Sequence, residues 1–185
     1  MIGNDIIDLS LAAIQNNWRR KGWLQKIFTL DEQARIWVSE NPDQTVWTFW
    51  SRKEAAYKAH QRQFCLSPRL NPKAIECLDN RIVTIESHYF YTKTILTKLY
   101  CYTEAFSNKW TKADSRICKG EKNNASQLLL SRLSEINKIP PEQLYILKDR
   151  NNIPQICVKD YDINYHFSLT HHGSFSAYTI LSEEL

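Results

Sequence analysis

The chain has five cysteines, Cys65, Cys77, Cys101, Cys118 and Cys157, yet no two of them form a Cys-x-x-Cys pair. That absence removes the usual thiolate zinc sites. The odd count, with no secretory signal, points to reduced thiols and a cytoplasmic protein. The opening residues MIGNDIIDLS carry acids where a secretory signal needs a basic start. No apolar run approaches the length needed to span a bilayer, so no membrane partner is expected. Internal repeats and low-complexity tracts are also missing. Charge of one sign is scarce: the formal net charge is only +4. That suits an anionic partner, and with no recognisable module it gives no support to nucleic-acid binding.

What is present is enough for a real core. Hydrophobic residues make up 43% of the 185 residues, with six Trp, nine Tyr and seven Phe. This length predicts a single domain over residues 1–185. Ile2 to Leu9 reads as a strand and Leu11 to Leu24 as a helix interrupted or ended near Gly22. Thr29 with Glu32 three residues later signals a capping box, so a helix follows to about Ser39. Asn41-Pro42-Asp43 reads as a breaker, and Thr45 to His60 as a long helix. Arg81 to Ser87 and Lys93 to Phe106 have strand composition and suit an antiparallel pair. Asn108 to Asn124 is polar and reads as a loop. Gln127 to Ile136 is the next helix. Tyr145 to Leu147, Gln155 to Val158, His166 to Thr170 and Phe175 to Leu181 are strand candidates, with His171-His172-Gly173-Ser174 as a turn. The fold class predicted is α+β, an antiparallel sheet packed against a long helix.

Three stretches place unusual polar groups beside apolar residues. In WSRKEAAYKAH, Trp50 to His60, helical spacing sets Glu54 and Lys58 on one face, with Ala55, Ala56 and Ala59 as an apolar side. That pattern fits a surface Glu–Lys pair, or a carboxylate for a metal with lysines for phosphate. In GNDIIDL, Asp5 sits among apolar neighbours, which suits either a strand-end acid or a metal ligand. In FSLTHHG, two histidines close a strand, where one is placed to meet phosphate or move a proton.

Together these stretches resemble the 4'-phosphopantetheinyl transferase superfamily, and more closely its short holo-acyl-carrier-protein synthase branch. Gly3-Asn4-Asp5 matches the family's Gly-x-Asp strand, and Asp8 its following acid. Phe28-Thr29-Leu30-Asp31-Glu32 is similar to its Phe-Thr-x-x-Glu segment. Trp50, Lys53-Glu54-Ala55 and Lys58 match its Lys-Glu-Ala-x-x-Lys helix. Ser168-Leu169-Thr170-His171 resembles its closing Ser-x-Ser-His, with Thr for Ser. Asp149 to Pro154 resembles an Asp-x-Asn-Gly-x-Pro turn, with Asn152 at a position that tolerates left-handed backbone. The resemblance covers Ile2 to about Leu70 and about Lys148 to Leu181. The middle, about residues 71–147, is longer than the short branch needs and matches no motif.

The resemblance implies a 4'-phosphopantetheinyl transferase-like fold. It implies an enzyme that moves the 4'-phosphopantetheine group of coenzyme A to a serine of an acyl or peptidyl carrier protein, releasing adenosine 3',5'-bisphosphate. Asp5 and Glu54 would hold Mg2+. Glu54 and Lys58 would be catalytic, while Lys53, Lys58 and His171 would bind coenzyme A. The basic run Arg19, Arg20 and Lys21, toward the end of the first helix, would dock the acidic carrier. A homo-oligomer, a trimer as in short-branch relatives, is expected. Two other readings use the same residues: a Mg-dependent nucleotide phosphohydrolase, and a non-catalytic coenzyme A or carrier-binding protein.

Overall fold

The computed structural model describes residues 1–120, 124–159, 161–162 and 165–182. The first strand, β1 (Ile2–Asp8), is buried along its length. Asp8 ends it and starts α1 (Leu9–Gln15). Its Oδ1 accepts the N–H groups of Ser10 and Leu11, both at 3.1 Å. The helix stops at Asn16, whose backbone is extended, and α2 (Trp23–Ile27) begins only after Gly22 at φ 83°. Between them the Asn17 side chain accepts the N–H of Arg19 and closes a turn. The expected helix over Leu11–Leu24 is therefore two short ones. Arg19, Arg20 and Lys21 occupy the intervening turn, not a helix end.

The capping box at α3 (Leu30–Val38) forms as the sequence predicts. Thr29 Oγ1 accepts the Glu32 N–H, and the Glu32 carboxylate accepts the Thr29 N–H at 2.9 Å. The long helix α4 (Pro42–Phe64) starts earlier than expected. Asn41 caps it and Pro42 takes the first position, where a missing N–H costs nothing, so the breaker is in fact the helix start.

Four more strands follow: β2 (Ile75–Cys77), β3 (Ile82–Ile85), β4 (His88–Leu96) and β5 (Tyr100–Phe106). They join β1 in a five-stranded antiparallel sheet of order β1-β5-β4-β3-β2. The strand expected over Lys93–Phe106 is two, because Thr97 Oγ1 accepts the N–H groups of Leu99 and Tyr100 and folds a turn. Helix α4 lies across this sheet. Ala55, Ala56 and Ala59 are fully buried and let it come close. Phe28, Phe49, Val83 and Phe90 fill the space around it.

The segment expected as a loop over Asn108–Asn124 contains β6 (Ala113–Lys119), and its residues 121–123 lie outside the described ones. After α5 (Asn124–Asn137) come β7 (Leu144–Lys148), β8 (Pro154–Val158) and β9 (Tyr161–Asp162), a small antiparallel sheet. The hairpin β10 (Phe167–His172) and β11 (Phe175–Leu181) pairs with β6 in the order β10-β11-β6. Leu129 and Leu133 of α5 pack with Phe167, Tyr178 and Ile180 to give this part its own core. No described helix is long and apolar enough to cross a membrane.

Candidate active site

The site begins with how β1 is wedged between α4 and β10. At Gly3, a side chain would have no room. A Cβ there would stand 2.6 Å from the Ala59 backbone nitrogen and closer still to the Ala55 carbonyl oxygen. Glycine is what lets strand and helix touch, and two residues on, Asp5 faces the helix residues Glu54 and Lys58.

The other edge of β1 is met by side chains instead of a backbone ladder. The N–H groups of Asn4, Ile6 and Asp8 donate in turn to Ser168 Oγ, Thr170 Oγ1 and His172 Nδ1, at 3.1, 3.3 and 3.0 Å. The period of two along both strands produces this register. It satisfies three buried or half-buried donors that would otherwise go unpaired.

This arrangement concentrates charge at one point. Lys58 Nζ donates to the Asn4 carbonyl at 2.8 Å and approaches Asp5 Oδ1 at 3.3 Å. Thr170 Oγ1 also donates to Asp5 Oδ1, at 3.3 Å. The second oxygen, Asp5 Oδ2, is buried and has no hydrogen-bond partner among the described residues. Beside it, the Glu54 carboxyl is pushed up to about 7. Burial is the main cause, the Asp5 charge adds to it, and Lys58 pulls the other way. Two carboxylates served by one lysine are short of positive charge.

These groups line a cavity of about 660 Å³, which falls in the range of small-molecule and cofactor sites. Arg62, Lys148, His171 and His172 line it too. Arg62 continues the Glu54–Lys58 stripe by one more turn. Burial lowers its pKa to about 10, partly opposed by Asp149, and its Nε has no hydrogen-bond partner among the described residues. The turn after β7 closes one side. Asn152 takes φ 60°, the left-handed backbone expected there. Gln61 donates to the Asn151 carbonyl at 2.9 Å, which ties that turn to α4.

Several expected site residues lie elsewhere. Lys53 is fully buried away from the cavity. Its ammonium meets Glu32 Oε2 at 2.6 Å and the carbonyls of Ile27 and Pro72 at 3.0 and 2.9 Å. It cannot reach a coenzyme A phosphate, and its role is to brace α2, α3 and the segment before β2. Asp8 is also engaged: Ser174 N–H reaches its Oδ2 at 3.0 Å, beside the two cap bonds on Oδ1. Burial opposes its ionisation, but these three backbone bonds and His172 win, so its pKa is lowered. Gly173, at φ 56°, fits against this carboxylate, where a Cβ would stand 2.5 Å from Oδ2. His172, which the resemblance gave no role, is the histidine that bonds β1, while His171 is exposed. Arg19 is held by both oxygens of Asp43, at 2.7 and 2.8 Å, and lies over the Trp18 ring. Arg20 and Lys21 are exposed, and Asn16 of the same turn lines the cavity.

Sequence reasoning missed Arg62, although the spacing of 54, 58 and 62 was a signal for it. It also missed a second cluster, outside the cavity lining. His60, Glu86 and His88 bring their ligand atoms within 4.8 Å of one another. No sequence spacing links them.

A family model for the 4'-phosphopantetheinyl transferase superfamily matches residues 1–118. The chain belongs to the 4'-phosphopantetheinyl transferase superfamily. It is therefore an enzyme of phosphopantetheinyl transfer, and its α+β architecture agrees with that assignment. The match takes in Gly3, Asp5, Glu54 and Lys58, and it runs on through β2 to β5 and most of β6. Much of the middle that carried no recognisable motif is thus part of the transferase. The match stops before β10, so Thr170 and His171 join the site by geometry alone. A search of curated proteins returned no match.

Proposed function

We propose that this transferase moves the 4'-phosphopantetheine group of coenzyme A to a serine hydroxyl of an apo-carrier protein, with Mg2+ held by Asp5 and Glu54, releasing adenosine 3',5'-bisphosphate. The observation that carries the reading is the pairing of Asp5 and Glu54 in one cavity, with Asp5 Oδ2 unpartnered among the described residues and the Glu54 carboxyl raised by burial and, after that, by its like-charged neighbour.

These residues fit a hard divalent cation. Two carboxylates offer oxygen ligands, and an open cavity leaves space for the waters that magnesium retains. Bound there, the metal would neutralise charge on the pyrophosphate oxygens. Lys58 fixes Asp5 and carries the near positive charge. Arg62 Nε, unpartnered among the described residues, would serve a phosphate oxygen, and His171, which lines the same cavity, would serve another. Thr170 orients Asp5 through its hydroxyl. The turn holding Arg20 and Lys21 borders the cavity at Asn16, which supports a docking role for these exposed cations toward an acidic carrier.

Mass spectrometry of apo-carriers incubated with the protein, coenzyme A and Mg2+ tests this. A carrier should gain the phosphopantetheine mass, and one bisphosphate should appear per carrier modified. Consumption of coenzyme A without any carrier would instead mark a phosphohydrolase.

A further inference from the structure

Helix α4 carries a second polar group on a different face. His60 is six residues beyond Glu54, which places it about 9 Å further along the axis and about 120° around it. It points toward the tip of the β3–β4 hairpin. There Glu86 is the first residue of a two-residue turn and His88 opens β4, paired with Ile85. We propose that His60, Glu86 and His88 form a binding site for a first-row divalent transition ion of the zinc class, distinct from the carboxylate pair.

The donor set is the first argument. Two imidazoles and one carboxylate are borderline ligands, suited to zinc and poorly suited to magnesium. Their ligand atoms already lie within 4.8 Å of one another, so small side-chain movements would close them on one ion. Three protein ligands leave a fourth position for water.

The environment is the second argument. His88 Nδ1 is buried and has no hydrogen-bond partner among the described residues. A buried ring nitrogen without a partner is uncommon and needs an explanation. Phe64 packs at a tilt against both histidines, with ring centroids 4.9 Å from His60 and 4.5 Å from His88. Phe90 meets His60 edge-on at 5.8 Å. These rings give an apolar surround that fixes both imidazoles. His60 is buried and Glu86 is exposed, so the site has a closed floor and an open entry.

Glu86 supplies a third argument. It holds φ 55°, a conformation that favours glycine at this turn position. A metal ligand would give a reason for a glutamate there. Bound metal would pin the hairpin tip to the C-terminal part of α4.

Zinc binding to the full-length protein tests the proposal, by equilibrium dialysis with Mg2+ in excess and zinc-edge X-ray absorption of the bound ion. The wild type should hold zinc with imidazole scattering and no sulfur. His88→Phe keeps an aromatic ring against Phe64, and Glu86→Gly suits the turn. Each should weaken zinc binding by at least about tenfold. The metal-free variants should unfold at the wild-type temperature or, for Glu86→Gly, above it. Equal zinc affinity in all three proteins, or sulfur ligation in the wild type, would overturn the proposal.

Discussion

Gly3 and Ala59 touch backbone to backbone, with room for no side chain between them. This contact sets the distance between Asp5 and the Glu54–Lys58 face of α4. Gly3→Ala should therefore cost about 1–3 kcal/mol of stability, the usual penalty for overpacking a tight core. It should also slow transfer beyond the loss of folded protein, because it moves one carboxylate away from the other. Urea unfolding and transfer rates measured on the same preparation check both.

Asp5 and Asp8 look alike in sequence but should behave differently. Asp8→Ala removes a helix cap and the Ser174 clasp, and should destabilise the fold by about 1–2 kcal/mol. Its Mg2+ affinity should stay near wild type. Asp5→Ala should show the reverse. Thermal unfolding and Mg2+ titration of the two variants separate these roles.

Lys53 is a structural cation. Burial lowers its pKa, and Glu32 restores part of its charge affinity. Lys53→Met would leave Glu32 buried without its ion partner, at a cost of about 3–5 kcal/mol. Where the variant folds, its KM for coenzyme A should match wild type. A raised KM with unchanged stability would put Lys53 back at the cofactor.

The difference between Lys53 and Lys58 shows what the sequence could and could not say. Helical spacing placed Glu54 and Lys58 together, because that follows from the helix alone. Which flank of the stripe is buried depends on where the sheet lies, and spacing does not carry that. Lys53 turned inward for this reason. The Thr29–Glu32 box was readable because it is a local requirement, whereas Gly3 and Asp5 were legible through the family resemblance, since what demands them is the approach of α4. β6 was not legible, since it is an edge strand with half-exposed Asp114 and Ser115 and exposed Arg116, all polar. The Leu11–Leu24 helix failed at Asn17, whose side chain competes for the backbone. His60, Glu86 and His88 meet only because the β3–β4 hairpin folds onto α4.

The Glu54 carboxyl makes a prediction about pH. Its folded pKa of about 7 lies above the ordinary 4.5. The folded state thus binds this proton more tightly than the unfolded one. Its contribution is fully present below the unfolded value and is lost as pH rises toward the folded value. In the metal-free protein the loss is on the order of 2–3 kcal/mol. Glu54→Gln should escape it, being more stable than wild type at neutral pH and about equal under mild acid. Urea unfolding of both proteins at the two pH values measures this, and a wild-type advantage at neutral pH would contradict it.

The same substitution tests the account most directly through activity. Glu54→Gln keeps the shape of the side chain and removes its charge. Carrier modification at limiting Mg2+, followed by mass spectrometry, should fall by about 100-fold or more while the protein stays folded. Transfer at near the wild-type rate would contradict the assignment of Asp5 and Glu54 as the metal-holding pair.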